Sequence, residues 1–89
     1  MNAASSNRLS PGDPPAEPTR ETIDWVARLA SEHRVALLRY AYSFCRDHER
    51  SEDAVQETFV RLLRQSEETL LGREVPWLYR VCRSRIIDI

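Results

Sequence analysis

Lysine is missing from this chain: all 13 of its basic residues are arginine. Its cationic contacts are therefore of the planar, bidentate and stacking kind that a guanidinium makes, rather than the point contacts of an ammonium. A biased genomic base composition produces the same usage. Glycine occurs only twice, which leaves no Gly-rich loop to cradle a phosphate. The two cysteines, Cys45 and Cys82, lie far apart, with no C-x-x-C and no histidine at metal-ligand spacing. They read as small buried hydrophobes in a reducing cytoplasm. No apolar run reaches the length of a membrane span or a signal-peptide core, so the expectation is a soluble, cytoplasmic chain with no membrane partner. Ser/His/Asp and Cys/His arrangements are lacking, as are paired carboxylates at a pocket position; neither an enzyme nor a cofactor is expected. No segment alternates with period two over a useful length, which argues against strands.

What is present is helical periodicity and a split charge. The 89 residues allow one domain with a modest core, and the net charge of −1 gives the whole chain no basic signature. The charge is divided locally. Asp47 to Glu57 carries five acids against one arginine, whereas Arg73 to Arg85 carries four arginines against one acid. Any nucleic-acid contact therefore belongs to the C-terminal third.

Met1 to Thr19 holds four of the five prolines and almost no bulky apolar residue. Such a segment cannot bury enough surface to offset its ordering entropy, so residues 1–19 are expected to form a disordered Pro/Ser-rich tail ahead of a helical domain over 20–89. From about Thr19 to Thr22 onward, Ile23, Val26, Leu29, Ala30, His33, Ala36, Leu37, Tyr40 and Phe44 follow helical spacing. They predict one long helix, or two with a break near Ser31 to Arg34. His33, with no partner residue in view, reads as a partly buried histidine of that stripe. Asp47 or Ser51 can cap a second helix running to about Gln65. Ser66 to Val75 reads as a loop, and Pro76 suits the first turn of a third helix with Leu78, Cys82, Ile86 and Ile89 inward. The expected fold is all-α, a small bundle of three or four helices.

The second helix has two committed faces. At about 100° per residue, Val55, Phe59, Leu62 and Leu63 share one side, while Asp53, Glu57, Arg61 and Arg64 share the other. Val60 lies among the charges, with Gln56 at the border. Such a mixture suits docking on another macromolecule; a solvated face with an intrahelical Glu57–Arg61 pair is the alternative. In the last helix, Trp77, Arg80 and Ser84 fall on one face at i, i+3 and i+7, with Arg83 alongside and Arg73 just upstream. Arginine can pair with phosphate and an aromatic ring can stack on an unpaired base. Core packing is the competing role for Trp77.

Asp53-x-x-Gln56-Glu57-x-Phe59, followed by Pro76-Trp77-Leu78-Tyr79-Arg80 and then Ile87-Asp88, resembles region 2 of the extracytoplasmic-function sigma factors of the sigma-70 family. Leu37-Leu38-Arg39-Tyr40-Ala41 resembles that region's first helix, so the match spans roughly residues 25–89. The resemblance implies a transcription initiation domain. Its second helix would dock on the clamp helices of the largest RNA polymerase subunit through Asp53, Gln56 and Glu57, with Val60 and Arg61 in the same patch. Its last helix and the preceding loop would melt the promoter minus-ten element and capture an extruded base, through Arg73, Trp77, Arg80, Arg83 and Ser84. Ser84 departs from the family, which usually carries asparagine there, and a hydroxyl cannot present an amide edge to a base. An anti-sigma factor is a further expected partner, and a bundle acting mainly through it is the rival reading. No segment resembles region 4, which implies an excised or truncated chain.

Overall fold

The structure, a computed structural model, describes residues 17–87. Expectations for the tail up to residue 16, and for Ile89 as a core residue, lie outside it. Four helices follow in order: α1 (Arg20–Cys45), α2 (His48–Leu62), α3 (Glu67–Leu70) and α4 (Glu74–Ile87), with no strand among the described residues. The fold is all-α, as the periodicity implies.

α1 begins where Thr19, in extended conformation, accepts the N–H of Thr22 on its side-chain oxygen at 3.0 Å. That bond satisfies one of the orphan donors of the first turn. The helix then runs unbroken through Ser31 to Arg34. It ends at Arg46, which adopts the left-handed conformation (φ 53°, ψ 34°) and donates its N–H to the Tyr42 carbonyl at 2.9 Å. Asp47 immediately caps α2, its Oδ1 accepting the Arg50 N–H at 3.1 Å, so His48 to Arg50 already belong to the helix. The last turn of α2 tightens: Leu63, Arg64 and Gln65 donate to carbonyls three residues back, which moves the α-helical end to Leu62.

The expected loop over Ser66 to Val75 contains a helical turn. Ser66 caps it by accepting the Thr69 N–H at 3.1 Å, and Leu70 is buried beneath it. Gly72, at φ 79°, makes the reversal into α4, a conformation that glycine adopts without steric cost. α4 starts two residues before Pro76, which becomes its third residue. The missing N–H still falls among the first-turn donors that need no intrahelical partner, and Trp77 makes the first bond of the ladder, to Arg73.

α2 folds back antiparallel along α1: Tyr42 stacks on His48 (centroids 4.6 Å apart) and Arg34 pairs with Glu52 at 3.1 Å. α4 runs antiparallel to α2 and contacts α1 through an edge-to-face pair of Tyr40 and Tyr79. Trp25, Leu37, Ala41, Val55, Leu62, Leu78 and Cys82 fill the space between them. Trp25, 1% exposed, is the largest of these, and its indole N–H finds no acceptor among the described residues. The expected α1 stripe is corrected at both ends. Ile23, Ala36 and Phe44 are exposed, while Trp25 and Ala41 are buried. The buried positions of this 26-residue helix are Trp25, Val26, Leu29, Leu37 and Ala41.

Candidate functional site

On α2 the angular separation of the two faces holds. Val55 and Leu62 are buried, Phe59 and Leu63 half-buried, Asp53, Gln56, Arg61 and Arg64 exposed, and Glu57 intermediate. Val60 is 44% exposed, an apolar side chain presented to solvent between charged neighbours. The five candidate residues have different neighbours. Gln56 and Val60 line a groove of about 340 Å³ against α1, with Val26, Ala30 and Arg34 as the far wall. Glu57 and Arg61 engage each other, the arginine Nε donating to the carboxylate at 3.1 Å. Asp53 turns toward α4, where it shares a small cleft with Arg50 and Arg85. Sequence reasoning missed the contribution of α1. Arg34 and Glu52 are 18 positions apart, and no local pattern connects them.

The other candidate site forms where α3 meets α4. Arg73, Trp77 and Arg80 line one open cleft of about 340 Å³ with Leu70 and Pro76. Arg73 also donates from Nη2 to the Thr69 carbonyl at 2.9 Å, satisfying an orphan carbonyl of α3 and fixing the stem of its own side chain. Trp77 is half-buried and packs against the core while lining the cleft. The ring thus packs on the core with one part left open at the cleft. Arg83 and Ser84 are exposed farther along α4, outside the cleft. The Leu70 floor comes from the capped turn of α3, whose signal was Ser66 three residues before Thr69.

Behind these surfaces lies a narrow polar seam. Ser51 and Thr58 are buried on α2 and bond back to the Asp47 and Ala54 carbonyls at 2.8 Å each. Cys45 lies 3.3 Å from the Ser51 hydroxyl, and Cys82 hydrogen-bonds with Thr58. Burial pushes the Cys82 thiol above its ordinary range, against the opposing effect of the Thr58 bond. Both cysteines are free thiols; Cys82 is fully buried, and Cys45 only partly so. Half-buried His33 lies 3.7 Å from the Glu32 carboxylate. Among the described residues no helix is long and apolar enough to cross a membrane.

Compared with known protein families, residues 29–89 match sigma-70 region 2. No curated protein and no solved structure gives a match. The matched span holds all of α2, α3 and the described α4 and most of α1, so it carries both candidate surfaces. The chain belongs to the sigma-70 region 2 family, the part of a transcription initiation factor that binds RNA polymerase and recognises the promoter minus-ten element.

Proposed function

We propose that this chain is region 2 of an alternative sigma factor of the extracytoplasmic-function group, acting in the cytoplasm by docking on the polymerase clamp helices and opening minus-ten DNA. The observation that carries the reading is the division of the surface. The α2 face has exposed Val60 beside Gln56 in the groove against α1, whereas on the α3–α4 side two arginines and a tryptophan line one cleft. Aliphatic contact ringed by polar groups is the composition of a protein-docking centre. A ring that lines one cleft with two arginines suits an unpaired base and its neighbouring phosphates. In this reading Asp53, Gln56, Glu57, Val60 and Arg61 serve the polymerase, and Arg73, Trp77, Arg80, Arg83 and Ser84 serve the DNA. An anti-sigma factor would compete for the first set.

The test uses two substitutions in the full chain. Val60→Glu should keep the helical spectrum and lose retention on a clamp-helix fragment of the polymerase. Arg80→Ala should weaken binding of single-stranded minus-ten oligonucleotide and reduce its salt slope by about one unit. Single strand should bind better than duplex, at roughly micromolar concentration or weaker, because a chain of net charge −1 releases few counterions. Tighter binding to duplex, unaffected by Arg80→Ala, would refute strand capture.

A further inference from the structure

Three aromatic rings join α1 to α4 at a place that neither candidate surface includes. Tyr40, half-buried, lies edge-on to Tyr79 with centroids 4.8 Å apart and edge-on to Phe44 with centroids 5.1 Å apart. Tyr79 packs against the core, so the chain of rings is anchored inside and ends outside. Phe44 is its outer end, at 45% exposure. Edge-to-face contacts fix the orientation of a ring, and a ring held in place yet open to solvent is a contact surface that loses little freedom on binding.

Charge decides what such a surface receives. From Val35 to the cap at Arg46, and along α4 from Val75 to Ile87, the chain carries Arg39, Arg46, Arg80, Arg83 and Arg85 and no carboxylate. That excess disfavours a second copy of the same face and favours a phosphate backbone. Position ties the rings to the Trp77 cleft. At about 100° per residue, the outward arc of α4 between Trp77 and Tyr79 passes Arg80 and Arg83, both exposed. α1 and α4 are each antiparallel to α2 and so run in the same direction. One turn beyond the Tyr40–Tyr79 contact therefore stand Phe44 on α1 and Arg83 on α4. The rise along α4 from Trp77 to Arg83 is about 9 Å. A strand leaving the cleft meets Arg80, then Arg83, then the Phe44 ring.

We propose that Phe44, backed by Tyr40 and Tyr79, is a second stacking platform for single-stranded DNA, at the far end of a path that starts in the Trp77 cleft and crosses Arg80 and Arg83. It extends the strand-capture reading above and rests on it. Stacking takes any base, because every base has a π-face, while the two arginines hold the intervening phosphates. Arg83, which lies outside the Trp77 cleft, thereby has a role: it carries the backbone from one ring to the other.

Fluorescence anisotropy with a labelled oligothymidylate of about ten nucleotides, and with an abasic oligomer of the same length, tests the platform in the full chain. Phe44 is outside the buried core, so Phe44→Ala should melt close to the parent; Phe44→Leu keeps apolar bulk without the ring, and Phe44→Trp keeps a ring. Phe44→Ala and Phe44→Leu should each weaken thymine-strand binding about fivefold or more, and Phe44→Trp should retain it. Affinity for the abasic oligomer and the salt slope should not change in any of the three, whereas Arg83→Ala should lower the slope by about one unit. If Arg80→Ala weakens binding and Phe44→Ala does not, the platform is wrong while strand capture stands. If neither has an effect, both fall. Parental binding by Phe44→Leu would show apolar contact rather than stacking and overturn the proposal. So would loss of retention on the clamp-helix fragment by Phe44→Ala with DNA binding unchanged, which would assign the rings to a protein partner.

Discussion

Arg46 offers a quantitative check on the α1–α2 junction. Among the described residues it alone, glycine aside, has positive φ. It is exposed, and no hydrogen bond or ion pair of its side chain is among those described. Comparing Arg46→Gly with Arg46→Ala isolates the backbone, because both variants remove the same charge from the helix C-terminus. The left-handed conformation costs a residue bearing Cβ about 1–2 kcal/mol. Glycine escapes that cost but loses about 0.5–1 kcal/mol more chain entropy on folding. The glycine variant should therefore exceed the alanine variant by about 0.5–1 kcal/mol, or about 2–8 °C in melting temperature for a domain of this size. Thermal melts followed by far-ultraviolet circular dichroism measure the difference. The sign is diagnostic: were residue 46 an ordinary helical position, alanine would win by about 1 kcal/mol. An alanine variant as stable as the glycine variant would refute the left-handed junction.

Glu57→Arg removes an exposed i, i+4 pair with Arg61 worth about 0.3–0.5 kcal/mol, so urea midpoints should barely move while retention on the clamp-helix fragment falls. Unchanged retention would restrict the docking footprint to the groove side of α2. The raised thiol of Cys82 gives a pH signature. A pKa higher in the folded than in the unfolded chain contributes stability that is intact below the unfolded thiol value of about 8.5 and is lost as pH rises above it. The melting temperature should fall across that alkaline window, and fall less in Cys82→Ala. Equal falls in both proteins would assign the effect to other groups.

Much of the bundle could be read from spacing, and the reasons for the gaps are physical. The two faces of α2 emerged because one straight helix of four turns keeps its core stripe aligned with a fixed neighbour. In α1 a repeating pattern begun at Ile23 missed Trp25 and placed Phe44 inside, because which turns of a 26-residue helix are covered depends on how far its neighbours extend along it. α3 escaped notice because its stability comes from a Ser66 cap and one buried leucine, a signal shorter than any helical period. Of the candidate site residues, Arg73, Trp77 and Arg80 converge on one cleft because two of them share a helix face and the third precedes it by one turn. The different neighbours of the α2 set were not legible. They depend on which side of α2 is taken by α1 and which by α4, information held in contacts between residues distant along the chain.

The unequal burial of the two tryptophans has an optical consequence. Trp25 is sealed in the core, its N–H without an acceptor among the described residues, so its emission should be blue-shifted and inaccessible to aqueous quenchers until the chain unfolds. Trp77 stands half-exposed at the arginine-lined cleft, where a base stacking on the ring would quench it directly. The chain thereby carries two intrinsic fluorophores with separate reports, one on the integrity of the fold and one on occupancy of the cleft. With Trp77 replaced by phenylalanine, a titration with oligonucleotide should leave the remaining emission unmoved, and heating should shift it to the red.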